Sequence, residues 1–294
     1  MRTKISLLFL ILLGLTTHAF SQVTTPADTA KKDTSKITKL VKTIINDTTQ
    51  RKESRKDTLL EKKLEKKFYS PRQFVHETFL YVETPFHWRS TDWIRVGITL
   101  ATVAAIMPFD QRITNSTQGD QHFYSSVPII AGYEYGEWYS IGAVTAAFAT
   151  YGILAHDTAA KKIAIELFQS GVYAEAFTEV LKVGIGRARP YENLGPFNFH
   201  PFNLNNNFES MPSGHSTAAF ALSTVMFRHA HKAVWKILAF APAALTMFSR
   251  LYQDFHWTSD CIMGAASGFS TGMWVVNLHE RKLHKINIPP DNKK

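Results

Sequence analysis

A chain of 294 residues, 45% hydrophobic and 13% aromatic, is long enough for one well-packed domain and too apolar to be disordered throughout. Its formal net charge of +9 is concentrated, because 13 Lys or Arg stand against 7 Asp or Glu between Gln22 and Phe68. That stretch has no interleaved aromatics on which bases stack, so no nucleic-acid partner is expected, and the single cysteine, Cys261, excludes an internal disulfide.

Arg2 and Lys4 precede an apolar run over 5–15, followed by small and polar residues to Ser21. This pattern predicts a signal peptide, 1–21, because the run is far shorter than the ~20 residues that cross a bilayer as a helix. Export to the periplasm or cell envelope follows. Residues 22–67, rich in Thr, Lys and Asp, read as a basic flexible linker with a short charged helix over 61–67. A compact domain is expected over 68–294, where Phe74, Phe79, Tyr81, Phe86 and Trp88 follow closely.

Within that domain the pattern is helical, and alternating strand-like runs are scarce. Six core helices are predicted, at 93–107, 137–155, 160–183, 213–229, 233–250 and 256–279, with Pro108, Pro190 and Pro212 as punctuation. The fold class is all-α, a helical bundle. Glu166, Glu175 and Glu179 inside one helix, and Lys236 with Pro242 inside another, make poor lipid-facing spans. If every helix spanned from an exported N-terminus, Lys161, Lys162, Arg228, Lys232, Arg281 and Lys282 would lie mostly outside, against the positive-inside tendency. The sequence therefore favours a bundle outside the bilayer, resting on a membrane surface.

Three segments carry chemistry. Lys182 is followed seven positions later by Arg189-Pro190, then come Pro212-Ser213-Gly214-His215-Ser216, and last Ser249-Arg250, His256 and Asp260. Alone, each has a plain structural explanation as a charged helix end, a turn with its cap, or a surface pair. Together and in this order they resemble the signature of the type-2 phosphatidic acid phosphatase superfamily, which includes bacterial acid phosphatases, lipid phosphate phosphatases and vanadium haloperoxidases. The resemblance runs from Lys182 to Asp260, with a compatible helix pattern over 93–279, and finds no counterpart for 22–90.

The chemistry agrees with what that resemblance implies. A phosphoryl group in transfer needs positive charge around its equatorial oxygens and an in-line nucleophile. Arg189 and Arg250 can fork onto phosphate oxygens, and Lys182 adds a point charge. Ser213 and Gly214 are predicted to open a helix after Pro212 and to add backbone N–H groups to the phosphate site. His256 is the expected nucleophile, with Asp260 one turn on accepting from one of its ring nitrogens and fixing the tautomer. His215 is expected to protonate the leaving alkoxide and then to activate water. No metal or other cofactor is expected.

Asp254 reads as a loop residue and Trp257 as packing. His279 and His284 read as exposed tail residues, and His229 with His231 suits no standard metal site. The loop 191–211 is expected to rim the pocket, with His200 at its border and Tyr191, Phe197, Phe199, Phe202 and Phe208 divided between loop packing and contact with an apolar substrate. The expected activity is hydrolysis of a phosphate monoester or pyrophosphate, that of a phosphorylated lipid first. A small phosphomonoester cleaved by a soluble periplasmic acid phosphatase is the alternative, and a vanadium haloperoxidase a more distant one.

Overall fold

The computed structural model describes residues 70–118 and 121–285. The expected signal peptide (1–21), the linker (22–67) and the start of the domain at 68 lie outside the described residues. The described residues form an all-α bundle, and their only sheet-like feature is one isolated bridge between Arg187 and Phe199.

In chain order the α-helices are α1 (Pro71–Glu83), α2 (Ser90–Ile106), α3 (Asp110–Thr117), α4 (Val127–Gly136), α5 (Trp138–Leu154), α6 (Thr158–Ile185), α7 (Gly214–His229), α8 (Ala233–Leu238), α9 (Ala241–Tyr252) and α10 (Thr258–Lys285). The centre is built from α6, α7 and α10, with α5 packed on α6, α9 on α4, and α2 on α10. The most extensive packing is that of α7 on α10. Gly264 and Gly268 lie one turn apart on α10, where a Cβ would run into the backbone carbonyls of Ser213 and Thr217. Small residues at this spacing let the two backbones meet and fix the start of α7 against the start of α10.

Each long helix has a local reason to begin or end where it does. The Asp157 carboxylate caps α6, accepting from the N–H groups of Ala159 at 2.9 Å and Ala160 at 3.0 Å. Gly186 ends it in the left-handed conformation, φ 60°, where a Cβ would strike the His200 carbonyl. The predicted helix over 233–250 is instead two, α8 and α9, broken at Ala239–Phe240 with Pro242 in the first turn of α9. Proline has no N–H to donate and its ring crowds the carbonyl four residues back, so a continuous helix is disfavoured there. Helices α1, α3 and α4 add to the six expected, and the last helix begins at Thr258 rather than at His256.

The pole away from the start of α7 holds a buried ionic network. His279, expected to be exposed, is fully buried there, its Nδ1 3.2 Å from Glu166 and its Nε2 3.4 Å from Glu77. Glu166 also meets Lys162 at 3.1 Å and His229 at 2.5 Å, so its charge is turned inward to partners. Gln169 and Lys282 both donate to Glu77, which ties α1 to α6 and α10.

Candidate active site

Four helix ends and one corner converge on a single cavity of about 470 Å³. Lys182 arrives near the end of α6, Gly214 and His215 in the first turn of α7, Arg250 near the end of α9, and His256 just ahead of α10. Arg189 follows α6 on an extended segment. Tyr133, Asn206, Gln253 and Phe255 complete the lining. Six of the eight expected site residues therefore share one cavity: Lys182, Arg189, Gly214, His215, Arg250 and His256.

The other two, Ser213 and Asp260, lie behind it. Ser213 is fully buried and is the N-cap of α7, its hydroxyl accepting from the N–H of Ser216 at 3.4 Å. Asp260 does not hold His256 as expected, since its Oδ2 stands 3.9 Å from Nδ1. The physical reason is that His256 precedes the helix, so the two residues are not stacked one turn apart. The His256 Nδ1–H donates instead to the Ser210 carbonyl at 2.8 Å. Asp260 accepts from the Ser210 hydroxyl at 2.5 Å, from the Trp257 N–H at 2.9 Å and from Arg187. Asp260 thus positions the residue that positions His256.

Arg187, inside the first motif, is completely buried and was missed from the sequence. Its guanidinium pairs with Asp260 and, at 2.9 Å, with Asp110 of α3, and it donates to the Pro196 carbonyl and the Ser259 hydroxyl. Asp110 accepts in turn from the Ser259 N–H at 3.0 Å. A guanidinium is the one side chain that forks to two carboxylates at once, and this pair of bonds joins α3, the first motif and the start of α10.

Every cation facing the cavity is braced by a neighbour. Asn206 accepts from Arg189 Nε through its carbonyl at 2.9 Å and from Nη2 through its side chain at 2.7 Å. Gln253 accepts from Arg250, whose guanidinium also lies over the Tyr133 ring, 4.6 Å from its centroid. Lys182 meets Glu179 at 2.6 Å. In the loop 191–211, Phe197 and Phe202 are exposed and Asn206 lines the cavity. His200 stacks edge-on to Phe208, and neither lines the cavity, whereas Tyr191 packs edge-on to Phe255 on its wall. Trp257 is buried packing, donating from its indole to the Ala188 carbonyl at 2.9 Å, and Asp254 sits in a turn with φ 62°.

The electrostatics favour a neutral His256. Burial, and then the charges of Arg189, His215, Arg250 and Lys182, hold the His256 imidazole well below its ordinary value of 6.5. With Nδ1 protonated by its bond to Ser210, the lone pair resides on Nε2. Burial also raises the Glu175 carboxyl to about 7, against the pull of Lys182. Among the described residues, no three His, Cys, Asp or Glu side chains are grouped as a metal ion would need.

Residues 164–283 match the family model of the PAP2 superfamily. The chain is 38% identical to a lipid A 1-phosphatase of Rhizobium johnstonii over 35% of its own length and 42% of that protein's. It is 34% identical to a lipid A 1-phosphatase of Porphyromonas gingivalis over 24% of its length and 17% of that protein's. The aligned stretches span less than half of these curated relatives. A transmembrane PAP2-type phosphatidylglycerolphosphate phosphatase of Bacillus subtilis aligns in structure with 22% identity and a TM-score of 0.49, over 64% of this chain and 94% of that one.

Proposed function

We propose that this protein is a phosphatase that removes phosphate from a lipid at a membrane of the cell envelope, through a phosphohistidine at His256 and without a metal. The observation that carries this is one cavity in which Lys182, Arg189 and Arg250 surround a neutral, oriented His256, with His215 beside it. The three cations take the equatorial phosphate oxygens, assisted by the free N–H groups at the start of α7. The His256 Nε2 lone pair forms the P–N bond as the P–O bond to the leaving alcohol breaks, and His215 gives its proton to that oxygen. Water then attacks phosphorus, His215 takes the water's proton, the P–N bond breaks, and inorganic phosphate leaves.

The lipid nature of the substrate is supported by the family, by the names of the relatives and by the surface. Ser90–Thr117 and Ala233–Tyr252 are long and apolar enough to cross a membrane, and their apolar windows are only 6% and 28% buried. Trp93, Ile94, Ile98, Val234 and Ile237 face outward there, which a soluble acid phosphatase has no reason to display. Lipid A 1-phosphate, the substrate class in the relatives' names, is the first to test, and export by the 1–21 signal peptide would bring the enzyme to it. The direct test is phosphate release by the full chain in detergent, with chelator present, from lipid A, phosphatidic acid and 4-nitrophenyl phosphate. We expect release from a lipid ester and at least a thousandfold loss, on the order of that seen on deleting a nucleophile, in His256→Ala. Release confined to the soluble ester would refute the lipid reading, and full activity in His256→Ala would refute the nucleophile.

A further inference from the structure

Tyr133 of α4 lines the cavity, and the corner between α4 and α5 that follows it lies behind His215, ahead of the stretch that matches the family. There the His215 Nε2–H donates to Glu137 Oε1 at 3.1 Å, with side chains of both residues mostly buried. The corner is shaped for this contact. A Cβ at Gly136 would collide with Thr246 and with the Cβ and carbonyl of His215, so only glycine lets the chain press close enough for the next residue to reach the ring. Tyr133, one turn earlier, packs on the His215 ring at 5.2 Å and hydrogen-bonds the same carboxylate.

We propose that Glu137 is the positioning residue for His215, holding Nε2 so that Nδ1 is turned to the leaving group and stabilising the imidazolium that donates the proton. This rests on the reading of the protein as a phosphatase. Proton balance is simple: imidazolium with Nε2–H on Glu137 gives its Nδ1 proton to the departing oxygen, and the carboxylate stays ionised throughout.

Without Glu137 every other influence on His215 opposes protonation. Burial comes first, then Arg250 of α9, and Lys182 of α6 adds to them, so that the imidazole sits at about 4 with Glu137 the group pulling it upward. His256 faces it from the start of α10, Glu175 flanks Lys182 on α6, and Lys236 of α8 lies away from it against Phe227. A bound phosphate offsets the same cations, so the pair is set to take up a proton when substrate is present.

The test uses the full-length protein in detergent, with Glu137→Gln and Glu137→Asp, and two readouts. Histidine ¹⁵N NMR follows the His215 titration, and kcat/KM is measured for octyl phosphate, a poor leaving group, and 4-nitrophenyl phosphate, a good one. Removing a carboxylate in hydrogen-bond contact lowers the midpoint by at least about one pH unit, and Glu137→Gln is expected to lose at least about tenfold more on the octyl than on the nitrophenyl ester. Glu137→Asp, with its charge one methylene away, falls between, and decides the matter should the Gln variant not fold. An unchanged midpoint, or equal losses on both esters, overturns the proposal as a merely structural contact. Should the wild type hydrolyse neither ester, the phosphatase reading fails, and the His215 midpoint still decides whether the pair exists.

Discussion

The Nδ1–H of His256 donates to the Ser210 carbonyl at 2.8 Å, and the Asp260 carboxylate, 3.9 Å away, bonds the Ser210 hydroxyl instead. The tautomer of His256 is therefore set by a backbone group, and Asp260 acts one step removed. Asp260→Asn should cost about 3 kcal/mol of stability, the lower end for breaking a buried ion pair. It should leave His256 protonated on Nδ1, as read by ¹⁵N shifts. A switch of the proton to Nε2 would mean that Asp260, and not the Ser210 carbonyl, fixes the tautomer.

Arg187 takes no part in the cavity, yet two buried carboxylates depend on it. Arg187→Met leaves Asp110 and Asp260 facing each other's charge without a cation, and about 3–5 kcal/mol should be lost in denaturant unfolding. Arg187→Lys should recover only part, because a compact ammonium lacks the planar, five-donor fork that reaches both carboxylates, the Pro196 carbonyl and the Ser259 hydroxyl at once. Adding Asp110→Asn to Arg187→Met should cost less than the sum of the two, the mark of a shared interaction.

The fold class was legible from the helical pattern and its prolines, and the gathering of the three motifs from their co-occurrence in one order, since each alone has a plain structural explanation. Lys182, Arg189, Arg250, His215 and His256 could be named on that ground. What could not be read were partnerships across the chain. Asp110 and Arg187 are 77 positions apart, and His215 and Glu137 are 78 apart. Asp110 and Glu137 precede all three motifs, and nothing in their own neighbourhoods distinguishes them from surface carboxylates. The His256–Asp260 spacing misled for a different reason. Four residues imply one turn only inside a helix, and this helix starts two residues after His256.

The cations proposed to bind phosphate also keep His256, the proposed nucleophile, unprotonated. A nucleophilic imidazole fails when it gains a proton, and the His256 value lies well below 6.5, so its acid limb is displaced to low pH. Turnover of 4-nitrophenyl phosphate should show no loss from His256 between pH 7 and about 5.5. A midpoint near 6.5 would mean that the ring is solvated and remote from Arg189 and Arg250.

Helix α2 presents Ile98, 61% exposed, and α8 presents Ile237, 75% exposed, on faces that no element among the described residues covers. If lipid covers them, the wild-type chain should remain with membranes through an alkaline carbonate wash. Ile98→Lys and Ile237→Lys should each weaken insertion by about 3 kcal/mol. A chain that is monodisperse in buffer without detergent would show that these faces meet water.

The account turns on a covalent bond between phosphorus and His256. Brief mixing of the protein with ³²P-labelled lipid phosphate in chelator, quenched in base and mapped by mass spectrometry, reads that bond directly. Label on His256 in the wild type and none in His256→Ala is the predicted result. Label elsewhere, undiminished label in His256→Ala, or hydrolysis that stops when the chelator is added would contradict it.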